Sequence, residues 1–396
     1  MKKLNLKFSK INKNLIGIKS KVEELIPSYL NFGNNVCMIG ICGMGGIGKT
    51  TLAREVYDMY SDKFQVSSFI ANVRERSKKV DLLQLQQQLL EECSVEINTR
   101  IWDVYKGVGI IKNRLRHKKV LLVLDDVNEK KQLENLAGEH EWFGLGSRII
   151  ITTRDKHVLV EHGVRKIYEL NGLKNNDALN LFCLKAFKNE QPKKDYTRLS
   201  QEVVNYASGL PLALVKLGSF LIERKIDVWQ SALDYFKKNP IEEIFDVLKI
   251  SYDGLGEEWK KIFLDIACFF KGWSKFEVIR ILENCDFNAK IGISVLLDKS
   301  LLTVTGDKEE LGMHDLLKEM GEKIVQQSCG ELGGQSRLWL FKDLLHLLEN
   351  NMVRSYNFIL VNKIKYSDII VFNKLVLEKK KTSIGKWLPK YLSNKI

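Results

Sequence analysis

Hydrophobic and polar positions divide the chain into two regions with different periods. In residues 36–154, short apolar runs alternate with amphipathic stretches, as strands alternate with helices around a parallel sheet. Unbroken runs such as VLLVL and SRIIIT are typical of central parallel strands buried on both faces. We predict strands over residues 36–41, 66–73, 120–124 and 147–152, and helices over residues 51–60 and 82–90.

After about residue 165 the strand signals fade and helical spacing dominates. Helices are predicted over residues 177–187, 196–207 and 212–221, and again over most of 241–325. Residues 300–311 interrupt that pattern with an apolar strand, a Gly-Asp turn and a returning strand. Helices followed by a hairpin and another helix predict a winged-helix domain. Residues 351–396 show no clear period, so no fold is predicted for them.

Composition indicates an ordinary globular chain of two to four domains, with 396 residues, 45% hydrophobic and 28% charged. No apolar run approaches the roughly 18 residues that a membrane span requires, so we expect no span. The seven cysteines are scattered and never spaced CxxC, which disfavours a zinc site or a disulfide framework. A reducing setting fits best, so we expect a cytoplasmic protein, with the nucleus as the alternative location.

The net charge of +13 by itself suggests nucleic-acid binding, but the distribution of that charge along the chain argues against it. Residues 1–35 carry seven Lys against two Glu, a charge of +5. Residues 351–396 carry nine Lys and one Arg against two acidic residues, a charge of +8, which leaves residues 36–350 neutral. The central region therefore has no overall basic bias, and we expect no nucleic-acid partner.

The strongest chemical signal is GMGGIGKTT, which follows the first predicted strand and opens a helical pattern. That order is the one a phosphate-binding P-loop requires. Its glycines let the backbone turn tightly and direct N–H groups toward phosphates. Lys49 would add a point charge for the β- and γ-phosphates, and Thr50 a hydroxyl for Mg²⁺. A Gly-rich turn that binds nothing is the alternative interpretation. We predict a bound nucleoside di- or triphosphate.

Two more motifs lie at the ends of predicted central strands. In LLVLDD, Asp125 fits the carboxylate that holds Mg²⁺ through water, and Asp126 could polarise an attacking water. The alternative is a strand end capped by two solvated acids. Arg154 follows the SRIIITT strand and would point into the crevice where ligands bind, where it could sense a γ-phosphate. The alternative is a surface arginine.

Two later motifs have purely structural explanations when taken alone. In GLPLAL, Pro211 is well placed to start a helix. In MHDLL, Asp315 is suited to be a helix N-cap with Glu319 in the following turn. His314 between them is, as a lone histidine, more often structural than catalytic.

Taken in order, these five motifs resemble the NB-ARC module of plant intracellular immune receptors, over residues 15–350. Asn128 after LDDV, FLDIACFF at 263–270 and SRLWL at 336–340 resemble the subclass that also carries a Toll/interleukin-receptor (TIR) domain. The resemblance implies a P-loop α/β domain, a helical domain and a winged-helix domain. We expect a basic extension at 1–14, these three domains at 15–165, 166–240 and 241–350, and a basic tail at 351–396.

The resemblance also implies a switch that ADP holds closed and that exchange for ATP opens into an oligomer. Transferred motif by motif, the phosphates would be held by Gly43, Gly45, Gly46, Gly48, Lys49, Thr50 and Thr51. Thr50 and Asp125 would serve Mg²⁺, and Asp126 would serve hydrolysis. The remaining implied contacts are Arg154 with the γ-phosphate, Pro211, Ile16 and Gly17 with the adenine, and His314 with the ADP β-phosphate.

Neither a TIR-like stretch nor leucine-rich repeats are recognisable, so we expect a truncated form without the NAD-cleaving activity of that subclass. The expected partners are the nucleotide and further copies or other immune-receptor chains. Any ATPase activity would be slow. Three alternatives remain: an adaptor or decoy that binds ADP without signalling, a conventional P-loop hydrolase, and a nucleic-acid-binding regulator.

Overall fold

A computed structural model describes residues 16–30, 33–79, 81–93 and 101–327. The predicted basic extension, the tail at 351–396, the SRLWL motif and residues 328–350 of the predicted winged-helix region lie outside the described residues.

Five parallel strands form one sheet in the order β2-β3-β4-β1-β5. They are β1 (Cys37–Cys42), β2 (Val66–Ile70), β3 (Val120–Val127), β4 (Arg148–Thr153) and β5 (Lys166–Glu169). The inner strands β1, β3 and β4 are buried along almost their whole length, which explains their unbroken apolar sequences. The predicted parallel α/β sheet is confirmed.

Two details of the sheet differ from the sequence predictions. The strand predicted over residues 66–73 ends at Ile70, because Asn72 takes a left-handed conformation with φ of 53° and a helix starts at Val73. The strand β5 was not predicted, since KIYE is short, partly exposed and charged at both ends. It pairs with β1, so residues 166–169 belong to the sheet although the predicted domain boundary lies at residue 165.

Helices cover the sheet and extend beyond it. Those of the sheet domain are α1 (Ile18–Leu25), α2 (Lys49–Tyr60), α3 (Val73–Lys79), α4 (Leu82–Cys93), α5 (Val104–Leu115), α6 (Lys130–Leu136) and α7 (Lys156–Glu161). The region predicted as the helical domain contains α8 (Asn175–Phe187), α9 (Thr197–Ala207), α10 (Pro211–Leu221) and α11 (Ile226–Lys238). The region predicted as the winged-helix domain contains α12 (Glu242–Asp253), α13 (Glu257–Asp265), α14 (Lys275–Glu283), α15 (Ala289–Asp298), the antiparallel pair β6 (Thr303–Thr305) and β7 (Glu310–Gly312), and α16 (Asp315–Gln327).

Two apolar clusters form the core. One lies on a single face of the sheet and includes Leu122 of β3 and Leu89 of α4. The other begins on the opposite face with Ile39 and continues through Leu214 of α10 to Leu317 of α16. The helical and winged-helix domains therefore share a continuous core with one face of the sheet, and this packing brings them next to the carboxyl ends of its strands.

Candidate functional site

The P-loop connects β1 to α2 at the carboxyl end of the sheet. Gly43, Gly46 and Gly48 have φ values of 153°, 79° and 101°, which favour glycine over any residue with a Cβ. Gly48 is the N-cap of α2 and offers no side chain to its first-turn amides. An uncapped helix start after a glycine turn is an anion-binding geometry, because its N–H groups and the helix dipole face the same point.

Lys49 folds back over this loop. Its Nζ donates to the carbonyl oxygens of Gly43 at 2.7 Å and Met44 at 2.9 Å, and the side chain is buried. Burial, together with the nearby Arg154 guanidinium, lowers the pKa of Lys49 to about 7. Bound phosphates would favour the charged ammonium at this position.

Asp125 lies fully buried at the end of β3. Its Oδ1 accepts hydrogen bonds from the hydroxyls of Thr50 and Thr152, each at 2.7 Å. Its Oδ2 is buried without a hydrogen-bond partner. A buried carboxylate oxygen in that condition fits a cation brought in with a ligand, and hard oxygen donors such as these suit Mg²⁺. Within the described residues no group of three or more His, Cys, Asp or Glu could hold a metal, so such an ion would need phosphate or water ligands as well.

Asp126 adopts a left-handed backbone conformation, with φ of 58°, where the pairing of β3 with β4 shifts register. Its amide donates to the Thr152 hydroxyl at 2.8 Å, so one threonine holds both acidic residues. The Asp126 carboxylate lies between two arginines. Arg74 Nη2 is 2.7 Å from Oδ2, and Arg154 Nε is 3.5 Å from Oδ1.

Arg154 connects the sheet domain to the winged-helix domain. Its Nη1 donates to the Val247 carbonyl of α12 at 2.6 Å, while its Nε faces Asp126. Burial lowers the pKa of the guanidinium, and the Asp126 carboxylate opposes that shift. The residue predicted to sense a γ-phosphate therefore lies beside Gly45 of the P-loop, bonded to a backbone carbonyl of α12.

The P-loop glycines touch all three domains. A Cβ at Gly45 would lie 2.7 Å from Arg154 Nη1 and 3.0 Å from the Val247 carbonyl oxygen. A Cβ at Gly46 would lie 2.8 Å from the Cβ of Leu212, whose amide donates to the Gly46 carbonyl at 3.3 Å. Glycine is thus needed here for close approach of the neighbouring domains as well as for backbone conformation.

The GLPLAL motif lies beside the P-loop, and the Ile16–Gly17 turn lies beside Leu173, which bonds to that motif. A Cβ at Gly48 would be 4.0 Å from Pro211 Cγ. Leu173 connects the two segments, because its amide donates to the Gly209 carbonyl at 2.9 Å and its Cδ2 would lie 2.7 Å from a Cβ on Gly17. Their contact with an adenine remains a prediction.

His314 uses both ring nitrogens for backbone contacts. Nδ1 accepts from the Leu316 amide at 3.2 Å, which assigns the proton to Nε2, and Nε2 donates to the Ser208 carbonyl at 3.1 Å. Burial lowers the pKa of His314, which favours the neutral ring. His314 thus holds the residue that precedes GLPLAL. Its contact with a β-phosphate remains a prediction, and would require the Ser208 bond to be exchanged.

Asp315 strengthens the same contact between the helical and winged-helix domains. It accepts from the Ser208 hydroxyl at 2.7 Å and pairs with Lys271. Burial opposes its ionisation, but the hydrogen bonds from Lys271 and Ser208 hold its pKa below the usual range. Asp315 is also the first residue of α16, close to its predicted N-cap position.

Sequence reasoning missed four contributors to this region: Arg74, Thr152, Ser208 and Val247. Arg74 and Thr152 had a usable signal, because each is at or just past the carboxyl end of a strand in the same sheet. Val247 and Ser208 bond to Arg154 and His314 through backbone carbonyls, which every residue has, so the sequence carried no signal for these two contacts.

Family comparisons agree with this geometry. A profile described as the NB-ARC domain matches residues 18–192, and one described as the Roq1-like winged-helix domain of disease resistance proteins matches residues 256–329. The disease resistance protein RUN1 of Vitis rotundifolia is 46% identical over 328 residues, and the TMV resistance protein N of Nicotiana glutinosa is 42% identical over 350 residues. These alignments cover 82% and 85% of this chain. This chain is an NB-ARC protein of the plant disease resistance family.

The predicted family and the order of its domains are thereby confirmed, and nucleotide binding follows from the NB-ARC domain. The aligned part of this NB-ARC chain spans 24% of RUN1 and 30% of the N protein. Among solved structures, the ORC2 protein of Aeropyrum pernix is 15% identical over 80% of this chain and 95% of that chain, with a TM-score of 0.49. That likeness is too distant to bear on function. Across the described part of the chain, none of the helices combines the length and apolar character of a membrane span.

Proposed function

We propose that this NB-ARC chain is the ADP/ATP-dependent switch of a plant immune receptor. ADP favours the closed arrangement in which the helical and winged-helix domains pack on the P-loop. Exchange for ATP releases the winged-helix domain and exposes surfaces for further copies or other receptor chains. The switch acts in the cytoplasm. Any ATP hydrolysis is slow, so the bound nucleotide determines which of the two arrangements the chain adopts.

The phosphates are held by Gly43, Gly45, Gly46, Gly48, Thr50 and Thr51, and Lys49 adds its charge at the β- and γ-phosphates. Thr50 and Asp125 hold Mg²⁺, since the unpartnered Asp125 Oδ2 is available for it. When bound, the ion neutralises part of the phosphate charge. Thr152 would keep the Asp125 carboxylate oriented toward such an ion.

The Arg154–Val247 hydrogen bond is the observation that carries the proposal. A γ-phosphate bound beside Gly45 would compete for the same guanidinium. The guanidinium is charged in both bonds, but a phosphate adds an opposite charge and can accept two parallel N–H bonds, so Arg154 would change partners. Losing its bond to Val247 weakens the contact of α12 with the sheet domain, and the two nucleotides thereby favour different arrangements.

Arg154 alone is not sufficient for the switch. Moving a population from 1:99 to 99:1 requires about 5.5 kcal/mol of differential binding. Other contacts that close the winged-helix domain would share that free energy, including Lys299 with Asp155 and His314 with Ser208. On the nucleoside side, Ile16, Gly17 and Pro211 enclose the adenine, and His314 acts as a latch from the winged-helix domain toward the β-phosphate.

The first test identifies the nucleotide that purifies with the chain. Mass spectrometry of the small molecules released from the purified 396-residue chain should find ADP at close to one per chain. His314→Ala should retain less ADP through the same purification, because the latch on the Ser208 loop is lost. A chain purified without nucleotide would overturn the proposal, and equal retention in His314→Ala would remove the latch.

The exchange of Arg154 between partners is the second test. Hydrogen exchange of the α12 amides should be faster with a non-hydrolysable ATP analogue than with ADP. In Arg154→Ala, the two nucleotides should give similar rates, because the residue that distinguishes them is gone. Arg165→Ala, at an exposed position before β5, is the matched control and should behave as wild type. Equal wild-type rates with both nucleotides would contradict the switch.

A further inference from the structure

The topology of the sheet places a second arginine at the phosphate site. Strands β2 and β3 are parallel neighbours, with Ile70 paired to Leu124, so both chains leave the sheet at the same edge. After β2 the chain turns at Asn72, whose φ is 53°, and enters α3. Arg74 therefore stands on the first turn of α3, next to the register shift that presents Asp126.

The contact between these two side chains is close and mostly shielded from water. Arg74 Nη2 is 2.7 Å from Asp126 Oδ2, and each side chain is 18% exposed. The opposite oxygen of Asp126 faces Arg154 Nε at a longer distance, 3.5 Å. One carboxylate is thus held by two guanidinium groups, of which Arg74 is the nearer.

We propose that Arg74 is a positioning residue that restrains ATP hydrolysis by holding the Asp126 carboxylate. This inference rests on the proposed function, in which Asp126 serves hydrolysis. In that step a water oxygen bonds to the γ-phosphorus, and the bond from that phosphorus to the β–γ bridging oxygen breaks. The proton lost by the water goes to an Asp126 oxygen, which must face the water with a free lone pair.

Arg74 limits that step by occupying and orienting Oδ2. When a γ-phosphate draws Arg154 away, Asp126 loses its longer contact and keeps the shorter one to Arg74. The carboxylate then remains tied to α3 in the ATP state, so the water is seldom activated and the ATP state persists. Slow ATP hydrolysis is expected of a switch in which the bound ATP must persist for as long as the signal is needed.

Neighbouring residues on α3 allow a matched test. Arg74→Gln should raise kcat for ATP hydrolysis by about tenfold. That factor corresponds to the loss of one charge-assisted hydrogen bond to the Asp126 carboxylate. KM and the affinity for ADP should stay within about twofold, because Arg74 acts through the Asp126 carboxylate and not directly on the phosphates. Arg74→Lys should restore most of the restraint. Arg76→Gln, whose arginine bonds to Gln88 Oε1 at 2.7 Å, should leave kcat unchanged.

A double-mutant cycle separates restraint from a general structural effect. In an Asp126→Asn background, Arg74→Gln should no longer change kcat, because its target has been removed. If Arg74→Gln fails to fold, Arg74→Met, which keeps an aliphatic stem, should give the same increase. Unchanged or lower turnover in both variants would overturn the restraint, and lower turnover would assign Arg74 to the transferring phosphate. A wild-type chain without bound nucleotide would instead overturn the proposed function.

Discussion

The phosphate site and the domain seam are built in different ways. The predicted phosphate site consists of residues 43–51 with Asp125, and its groups are backbone amides, glycines at positive φ and a carboxylate buried at a strand end. The seam is where Tyr206 and Ser208 of the helical domain meet His314 and Glu319 of the winged-helix domain. There the Tyr206 hydroxyl donates to the Glu319 carboxylate and the His314 ring donates to the Ser208 carbonyl, so each bond involves a titratable side chain. The phosphate site is suited to keep its geometry while the ligand changes, and the domain seam is suited to separate at low free-energy cost.

Substitution of a P-loop glycine should have the largest effect. Gly46 and Gly163 have nearly equal φ values, 79° and 80°, so alanine costs about 1 kcal/mol of backbone strain at either position. Only at Gly46 would the new Cβ meet a neighbour, Leu212, at 2.8 Å, whereas Gly163 has open space around it. Gly46→Ala should lose about 2 kcal/mol more free energy of unfolding than Gly163→Ala, and its bound nucleotide as well. Urea unfolding and nucleotide content measure both. Equal losses of unfolding free energy in the two variants would show that the P-loop shifts to make room for the new Cβ, which would contradict a rigid phosphate site.

The second prediction concerns protonation of Lys49. Its pKa is lowered to about 7 in the folded chain, against 10.5 ordinarily, and bound phosphates should raise it again. Nucleotide binding should therefore take up a proton above pH 7, and affinity should fall by up to about tenfold for each pH unit above that value. In the unliganded chain the same lowered pKa makes Lys49 destabilising below about pH 7, a penalty relieved as the pH rises toward 10.5.

Calorimetry in two buffers of different ionisation enthalpy measures the proton uptake directly. Lys49→Arg, which stays charged, should bind without proton uptake if it binds at all. Uptake that persists in this variant would assign the proton to another group.

The third prediction probes the seam through Glu319. Burial raises its pKa to about 7, the Tyr206 hydrogen bond at 3.0 Å opposes that shift, and Glu322 adds to it. A raised carboxyl pKa means that stability is present below the ordinary value of 4.5 and is lost as the pH rises through about 7. Glu319→Gln should therefore be more stable than wild type at pH 8, by about 1 kcal/mol for a partly exposed, screened site, and similar to it at pH 5.

Thermal unfolding at the two pH values tests this, with Tyr206→Phe as the complementary variant. Removing the hydroxyl that donates to Glu319 should destabilise the chain more at pH 8 than at pH 5. A pH-independent effect in both variants would mean that Glu319 does not titrate at the seam.

The smallest effect is expected at the other boundary of the winged-helix domain. Lys299 after α15 pairs with Asp155 before α7 at 2.7 Å, joining that domain to the sheet domain. Lys299→Ala should lower the free energy of unfolding by about 0.5 kcal/mol, and less at high salt. Lys290→Ala, at an exposed position on α15, is the control and should change nothing measurable. A loss above about 2 kcal/mol would make this boundary as firmly held as the phosphate site.

Much of the fold was predictable because its signals are local. The buried strands β1, β3 and β4 have unbroken apolar sequences, since both of their faces are covered. Strand β5 has no such pattern, because an edge strand is half exposed and four residues are too few for a period. The turn at Asn72 was not predicted for a similar reason, because a single residue in the left-handed conformation does not change the hydrophobic pattern.

By itself, the sequence determined the P-loop between β1 and α2 and the start of the helix that follows it. Nine contiguous residues after a strand carry their own geometry, because glycine freedom and a helix start are local properties. Tertiary structure alone decided which partner each switch residue takes. Arg154 bonds the Val247 carbonyl and His314 the Ser208 carbonyl, and a carbonyl is present at every residue. Such contacts are selected by how three domains pack on a common core, which no local pattern records.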